Sequence, residues 1–322
     1  MNILITSAGR RTTLVKIFKS AVSQYGGQVY TTDINCLAPA LYFSDKAFKS
    51  PPVEEPEYLD YLLDIITKYN IKLLVPTIDT ELLLLASSRE ILENSGCIPL
   101  ISSEEFIYIT GDKWLTVNAF EARGVRCPRS WIQENLKYDS VPENLFIKPR
   151  GGSASQNAYS FTITELNEYI PKVSNFIIQE LLDGPEITVD ALLDLDGKPI
   201  HYVPRIRLRT LGGESIQGKT IEDTEVREWM INLLNIISSM GGRGPQTLQY
   251  FMTPNGPVLT EINPRFGGGF PLGYHAGGKY PEWILQMLYG KIMSSKIGEY
   301  KANLYMTRFF DEHFTEEPLW KD

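Results

Sequence analysis

A short stretch near residue 250 carries the side chains best suited to chemistry. Positions 248–269 read LQYFMTPNGPVLTEINPRFGGG, which predicts two strands joined by the turn PNGP. Because side chains alternate along a strand, Glu261 and Asn263 share one face, and the hairpin brings Gln249 near them. Oxygen ligands that converge in this way favour Mg²⁺, which keeps its remaining positions for phosphate and water.

An arginine and a run of glycines follow this hairpin. Arg265 comes shortly after Asn263, where its guanidinium could hold an anion beside the metal. Gly267, Gly268 and Gly269 would let the backbone come close to a ligand. A solvated edge hairpin is the alternative, so the interpretation depends on the rest of the chain.

A second candidate site begins at Lys148, the last residue of the predicted strand LFIK. The backbone N–H groups of Gly151, Gly152 and Ser153 could surround phosphates, while the lysine supplies a point charge. A nucleotide-binding P-loop would instead have its lysine after the glycines and a helix at once. A surface turn is the alternative for this segment.

Two further strands carry polar groups of interest. The predicted strand 175–180 breaks at 181–186, and an alternating strand resumes at Ile187. A purine could take backbone hydrogen bonds from such an interrupted strand, and Glu186 could accept hydrogen bonds from ribose hydroxyls.

Three arginines alternate in the segment PRIRLRT. Arg205, Arg207 and Arg209 would share one strand face and could hold a carboxylate substrate bidentately. A solvated strand edge facing an acidic protein is the alternative.

Strands alternate with helices over residues 1–100, among them helices predicted at 56–69 and 81–92, and this alternation predicts a parallel, doubly wound sheet. Ligands of such sheets bind at the carboxyl ends of the strands. A dinucleotide site is disfavoured, because Gly9 is the only glycine of the first turn and two arginines follow it. The candidates for a substrate pocket are Ser7, Arg10, Arg11, Asp33, Asp79 and Glu81. Capping of helices and turns is the alternative for these residues.

A helical connector is predicted over residues 103–130. Ser102 or Ser103 would begin one helix, and Asp112 would begin a second, with Lys113 in its first turn. An exposed lysine at this place is unremarkable by itself.

Composition limits the class of protein. The chain has 322 residues and a net charge of −8, which predicts about two domains and argues against general nucleic-acid binding. Cys36, Cys97 and Cys127 are isolated, as expected for reduced thiols of a cytoplasmic protein. No apolar run reaches membrane-spanning length, so no membrane association is expected.

The order of these pieces closely resembles the ATP-grasp superfamily, and within it the synthetase domains of the carbamoyl-phosphate synthase large subunit. The motif EINPRFGGG is its most specific part, and the resemblance covers residues 1 to about 290. It implies an α/β and α+β protein in which a Rossmann-like pre-ATP-grasp domain precedes a two-subdomain ATP-grasp fold. The implied boundaries are 1–104, 105–300 with a lid subdomain at about 112–182, and a tail at 301–322.

The resemblance also implies roles for individual residues. Lys113 and Lys148 would bind the phosphates of ATP, residues 151–155 would form a mobile lid, and Glu186 would bind the ribose. The adenine would meet Glu180 and the backbone of Leu181 and Leu182. Two Mg²⁺ ions, or Mn²⁺ in their place, would be held by Gln249, Glu261 and Asn263. Arg265 would stabilise the transferring phosphoryl group.

The implied activity is an ATP- and Mg²⁺-dependent ligase that activates a carboxylate as an acyl phosphate and couples it to an amine or ammonia. The glutamine at 249, where many relatives have an acid, resembles the carbamoyl-phosphate type. Two alternatives are phosphorylation of bicarbonate or carbamate with partner chains, and a non-catalytic nucleotide-sensing subunit. The expected partners are a small carboxylate and an amine, with a homodimer or a partner subunit also expected.

Overall fold

A parallel sheet is formed by the N-terminal part of the chain in a computed structural model, which describes residues 1–137, 141–152, 157–211 and 214–320. Its strands are β1 (Asn2–Ile5), β2 (Val29–Asp33), β3 (Lys46–Lys49), β4 (Ile71–Val75) and β5 (Ile98–Pro99). They lie in the order β3-β2-β1-β4-β5, and each neighbouring pair is parallel. The prediction of a parallel, doubly wound sheet is confirmed.

Helices connect these strands. They are α1 (Thr12–Ser23), α2 (Tyr58–Tyr69), α3 (Leu82–Ser87) and α4 (Arg89–Asn94). The predicted single helix at 81–92 is wrong, because Ser88 has φ −97° and ψ 9° and separates α3 from α4. Beyond this break, Arg89 Nη2 donates to the carbonyls of Ile101 and Ser102, which ties α4 to the segment after β5.

Two capped helices follow the parallel sheet, as predicted. They are α5 (Glu104–Thr110) and α6 (Lys113–Glu121). Ser103 Oγ accepts from the amide of Phe106, and Asp112 Oδ1 accepts from the amides of Trp114 and Leu115. These bonds satisfy amides that have no partner within a helix, and they fix where each helix begins.

An antiparallel sheet with the order β6-β9-β7-β8 comes next. Its elements are β6 (Ser130–Trp131), β7 (Asn144–Pro149), β8 (Tyr159–Thr162), α7 (Leu166–Tyr169) and β9 (Phe176–Glu180). Leu145, Ile147 and Ile178 are buried between this sheet and the segment that carries α7. Lys148, which alternates with these apolar residues, therefore faces the opposite side.

The remaining strands form a second antiparallel sheet with the order β14-β13-β10-β11-β12-β15. These strands are β10 (Glu186–Leu193), β11 (Pro199–Leu211), β12 (Glu214–Thr220), β13 (Pro245–Thr253), β14 (Gly256–Asn263) and β15 (Tyr305–Thr307). The accompanying helices are α8 (Arg227–Ser239), α9 (Phe270–His275) and α10 (Tyr280–Leu288). The predicted hairpin at 248–269 is β13 and β14, which meet in antiparallel register.

One hydrophobic core joins the parallel sheet to the segment after β14. Phe18 of α1 meets Phe266 edge to face, with ring centroids 5.8 Å apart, and Ile284 of α10 is buried in the same cluster. The segment that carries Arg265 therefore rests on the N-terminal part of the chain. No helix in the described part of the chain combines the length and the apolar character that a membrane crossing requires.

Candidate active site

A cleft of about 270 Å³ separates the sheet of β7 and β9 from the sheet of β10, β11, β13 and β14. Most residues predicted to bind a magnesium nucleotide line this cleft. These residues are Lys113, Lys148, Gly151, Gly152, Glu180, Leu181, Leu182, Glu186, Gln249 and Glu261. Residues 100 or more positions apart in the chain thus meet in one space, as the order of the motifs predicted.

The oxygen-bearing side chains of the hairpin lie together. Gln249 on β13 stands opposite Glu261 on β14 in the strand register. Asn263 Nδ2 donates to Glu261 Oε1 at 3.0 Å, so the amide oxygen of Asn263 is directed away from that bond. Two amide oxygens and one carboxylate form a set of hard ligands with little charge. Such a set fits a Mg²⁺ or Mn²⁺ ion that shares its coordination with phosphate oxygens.

Lys148 on β7 points into the cleft from the opposite wall. Its side chain is half-buried, and the enclosure lowers its pKa to about 8 because the charged form is poorly solvated. The neighbouring charge of Lys113 lowers this pKa further, while Glu261 and Glu186 act against the shift. A lysine in this state gains its full charge when anionic groups enter the cleft.

The glycine loop after β7 is attached to the start of α6. Lys113 Nζ donates to the carbonyl of Gly152 at 2.8 Å, and the Lys113 amide donates to the carbonyl of Arg150 at 2.9 Å. Arg150 in turn forms an ion pair with Asp112, with Nη2 and Oδ2 2.8 Å apart. Ser153 and the rest of the predicted lid, which ends at residue 155, lie outside the described residues.

The adenine end differs in one detail from the prediction. The Leu181 amide donates to the Asn144 carbonyl at 3.1 Å, so this group is already paired and the backbone of Leu182 remains for a base. The Glu180 carboxylate accepts from the amide and from Nε of Arg129, at 3.0 and 2.8 Å. Its side chain is therefore turned toward Arg129.

The three alternating arginines of β11 do not act as one set. Arg205 is 2% exposed and pairs with buried Asp190, with Nε and Oδ2 2.8 Å apart. Arg207 lines the cleft and pairs with Glu186. Arg209 is exposed, because the register between β11 and β12 shifts on either side of it. The prediction that these arginines together hold a substrate carboxylate is wrong for Arg205, whose guanidinium is buried against Asp190, and it stays a prediction for Arg207.

The glycines after Arg265 serve packing within the protein. A Cβ on Gly269 would lie 2.4 Å from the guanidinium of Arg205, and one on Gly267 would lie 2.7 Å from Thr247 Oγ1. The expectation that this loop is open for a ligand is therefore wrong at these two positions. The buried pair of Arg205 and Asp190 occupies the space that the loop leaves.

Arg265 meets the N-terminal part of the chain through Asp79. Its Nε donates to Asp79 Oδ1 at 2.8 Å, its Nη2 donates to Asp79 Oδ2, and its Nη1 donates to the Phe266 carbonyl at 3.2 Å. A small cavity of about 40 Å³ adjoins the large cleft, and Asp79, Glu261 and Asn263 line it. Arg265 thus stands next to the residues that could bind a metal.

The other N-terminal candidates lie at the carboxyl ends of β1, β2 and β4. Ser7 has a φ of 50°, and Asp33 accepts from the amides of Gly9 and Asn35 at 2.8 and 2.9 Å. Arg10 is exposed and Arg11 is half-buried. Asp33 therefore shapes the turn after β1, and Arg10 and Arg11 follow this turn in the sequence.

Glu81 is a correction to the predicted substrate pocket. Its side chain is 0% exposed and accepts hydrogen bonds from Tyr58 Oη at 2.8 Å and from the Thr77 amide at 3.1 Å. Burial raises the pKa of this carboxyl. A side chain closed off from solvent and held on several sides supports the loop after β4 and does not contact a substrate.

Some cleft residues were not singled out from the sequence. Phe146 lies two positions before Lys148, and Phe251 lies two positions after Gln249, so each shares a strand face with a predicted site residue. This alternation is the signal by which both could have been found. Asn157 also lines the cleft, but it follows the glycine loop without any local pattern.

Family models match two parts of the chain. Residues 3–101 match the model described as PylC-like, N-terminal domain, and residues 172–309 match the model described as ATP-grasp in the biosynthetic pathway with Ter operon. Comparison with curated protein sequences gives no match.

Solved structures resemble the whole arrangement. The biotin carboxylase domain of 2-oxoglutarate carboxylase from Hydrogenobacter thermophilus, in complex with MgADP, ADP and bicarbonate, is 13% identical with a TM-score of 0.75, over 94% of this chain and 73% of that one. N5-carboxyaminoimidazole synthetase from Staphylococcus aureus, complexed with ADP, is 14% identical with a TM-score of 0.73, over 94% and 79%. L-amino acid ligase from Bacillus licheniformis is 18% identical with a TM-score of 0.72, over 92% and 76%. At these identities the likeness establishes the fold, and the predicted fold is confirmed.

Proposed function

We propose, since residues 172–309 match an ATP-grasp family model, that the chain belongs to the ATP-grasp superfamily and is an ADP-forming ligase that couples a carboxylate to an amine. The observation that carries the proposal is the cleft in which Lys113 and Lys148 face Gln249 and Glu261. Cationic groups on one wall and oxygen ligands on the other are what a magnesium nucleotide requires. The names of two structural neighbours add support, since one is a complex with MgADP and bicarbonate and the other is an amino acid ligase.

In this proposal the nucleotide occupies the large cleft. Lys113 and Lys148 bind phosphate oxygens, and the glycine loop covers them from above. Lys113 exchanges its bond to the Gly152 carbonyl for a bond to phosphate, which frees the loop to close. Glu186 accepts from the ribose hydroxyls, and its pairing with Arg207 orients its carboxylate.

The metal ligands of the proposal are Gln249, Glu261 and Asn263. Magnesium held there would neutralise charge that develops on the transferring phosphate. We infer two ions from the resemblance to the ATP-grasp superfamily, and three protein ligands would leave the remaining coordination positions to phosphate and water.

The proposed chemistry has two steps. A carboxylate oxygen of the substrate attacks the γ-phosphorus of ATP, the bond to the bridging oxygen breaks, and ADP leaves with that electron pair. The amine nitrogen then attacks the acyl carbon and loses a proton, and inorganic phosphate leaves. Arg265 binds the oxygens of the phosphoryl group through both steps, since a guanidinium stays charged and offers several donors in one plane. Closure of the glycine loop would keep water from the acyl phosphate.

A second candidate is phosphorylation of bicarbonate or carbamate with the help of partner chains. Gln249 favours it through the resemblance to carbamoyl-phosphate synthase, and the neighbour crystallised with bicarbonate agrees with it.

We also infer domain boundaries near residues 104 and 300. We further infer a homodimer, because the homodimer is the commonest oligomeric state of soluble proteins that form oligomers.

The test of this function is the release of ADP and phosphate from MgATP by the purified chain. Pools of amino acids and other small carboxylates are offered with and without ammonia, and bicarbonate is offered separately. Release that depends on one carboxylate and one amine supports the ligase and identifies both substrates. Release with bicarbonate alone supports the second candidate. Binding of ATP with no release from any pool contradicts a ligase that acts alone, and it favours a missing partner chain or a nucleotide-sensing subunit.

A further inference from the structure

We propose that Asp79 is a positioning residue that sets the orientation of Arg265, so that phosphoryl transfer depends on a carboxylate supplied by the parallel sheet. The inference rests on the proposed function, and it changes the expectation that Asp79 contacts the second substrate. Its basis is the ion pair between two residues 186 positions apart, one after β4 and one after β14.

The pair fixes the plane of the guanidinium. Both carboxylate oxygens of Asp79 are used, one by Nε and one by Nη2, and the Phe266 carbonyl takes a third donor. A guanidinium has five N–H donors, so in the described part of the chain two remain without a recorded partner. These two lie on the terminal nitrogens, where they can bind phosphoryl oxygens in the same plane.

Asp79 is itself held firmly. Thr77 Oγ1 donates to the carbonyls of Thr6 and Ser7 at 3.1 and 2.7 Å, which joins the loop after β4 to the end of β1. Buried Glu81 accepts from the amides of Thr77 and Ile78 at 3.1 and 3.5 Å. The loop is thus supported from behind by a carboxylate that has no access to solvent.

Arg265 is connected in the same way to the metal-ligand residues. Its amide donates to the Asn263 carbonyl at 2.8 Å, and Thr247 Oγ1 donates to the Arg265 carbonyl at 2.9 Å. Asn263 then donates to Glu261. Loss of Asp79 should therefore alter only the orientation of the Arg265 guanidinium, because the backbone amide and carbonyl of Arg265 are both held by hydrogen bonds.

The position of Asp79 separates its effect from nucleotide binding. It lines the small cavity beside Glu261 and Asn263, and it is absent from the lining of the large cleft. The side chain of Asp79 is 23% exposed and that of Arg265 is 9% exposed. The ion pair is therefore largely shielded from water without being fully closed off. Loss of Asp79 should therefore impair the transfer step and leave the affinity for MgATP unchanged.

The kinetic experiment compares Asp79→Asn with wild type in the ADP-release assay. We expect kcat to fall by about 100-fold, as for a misplaced catalytic group, with the KM and Kd for MgATP within about twofold of wild type. Asp64→Asn is the matched control, because it removes an exposed carboxylate of α2 from the same part of the chain and should leave kcat unchanged.

Chemical rescue gives a readout that a merely structural role would not change. In Asp79→Ala, added formate should restore part of kcat by occupying the space of the missing carboxylate, and it should have no effect on Arg265→Ala. An unchanged kcat with a raised KM for the carboxylate or amine would overturn the proposal, because Asp79 would then be a substrate ligand.

A measurement without turnover separates this proposal from the proposed function. In the NMR spectrum of the full chain, the Arg265 Nε–H signal, assigned through Arg265→Lys, should exchange slowly in wild type and be broadened or lost in Asp79→Asn. A signal that is the same in both proteins would overturn the positioning role, whether or not any substrate is turned over. If the signal changes as expected and no substrate pool releases ADP, only the proposed function fails.

Discussion

Lys148 makes the cleft sensitive to pH. Its pKa of about 8 means that above this pH the free protein holds a neutral amine. Phosphate raises the pKa by stabilising the charged form, so binding of nucleotide above about pH 8 should take up a proton. The dissociation constant for MgATP should accordingly rise as the pH increases from about 8 to about 9.5.

Calorimetry in buffers of different ionisation heat measures this proton uptake directly. Lys148→Arg is the matched control, since arginine stays charged throughout this range and should show no uptake at this position. Equal proton uptake in wild type and in Lys148→Arg would exclude Lys148 as the group responsible.

Glu261 carries the only negative charge among the three proposed metal ligands. Glu261→Gln keeps the shape and the oxygen that accepts from Asn263, but it removes this charge. We expect ADP release to fall by about 100-fold or more, which corresponds to about 2.7 kcal/mol in the barrier. The thermal unfolding temperature should be unchanged. Glu90→Gln, an exposed position on α4, is the control, and near-normal turnover of Glu261→Gln would argue against the metal assignment.

At the scale of residues, spacing in the sequence predicted which side chains of one hairpin lie together. It did not predict contacts between residues far apart in the chain. Strand alternation and a tight turn were enough to bring Gln249, Glu261 and Asn263 together. Arg265 and Asp79 are joined by tertiary packing, and no periodicity in the sequence encodes their contact. Arg205 was misassigned for the same reason, because its partner Asp190 lies on a neighbouring strand.

At the scale of elements, the loop after β14 is shaped by the buried ion pair beneath it. Gly269→Ala places a methyl group against the guanidinium of Arg205. Overpacking of this kind should lower the free energy of unfolding by about 3 kcal/mol, measured by urea denaturation. Gly290→Ala is the control, since Gly290 has a φ of 82° but open space around it, and only about 1 kcal/mol of backbone strain is expected there.

The comparison of the two alanine variants decides between packing and backbone strain. A loss of stability in Gly269→Ala no larger than in Gly290→Ala would mean that the loop yields to the added methyl group. The contact with Arg205 would then not be the reason for glycine at this position.

The bounds of helices and strands were predicted from the sequence more accurately than the contacts between them. The 3.6-residue and two-residue periodicities identified α2, β9 and the β13–β14 hairpin to within a few residues of their observed bounds. The break at Ser88 was missed because no local pattern marks it, and the bonds that Arg89 makes to the carbonyls of Ile101 and Ser102 join residues more than ten positions apart. The paired amide of Leu181 was missed because its partner, Asn144, begins a different strand.

At the scale of the whole molecule, the parallel sheet is part of the proposed active site. Phe266 packs on Phe18, and Asp79 holds Arg265, so the group that would stabilise the phosphoryl transfer lies where the two parts of the chain meet. Alternation of strands and helices predicted the parallel sheet, and the order of the motifs predicted the ATP-grasp fold of the later residues. The contact between these two parts depends on surfaces formed only after folding.

The central claim is that the chain transfers the γ-phosphoryl group of ATP to a carboxylate oxygen. The most direct measurement uses the carboxylate that supports ADP release, labelled with ¹⁸O in its carboxyl group, and observes the released phosphate by ³¹P NMR. An acyl phosphate intermediate requires that one labelled oxygen appears in each phosphate, because the carboxylate oxygen leaves with the phosphorus. Unlabelled phosphate released together with ADP would mean that water is the acceptor, and it would contradict the proposed ligase mechanism.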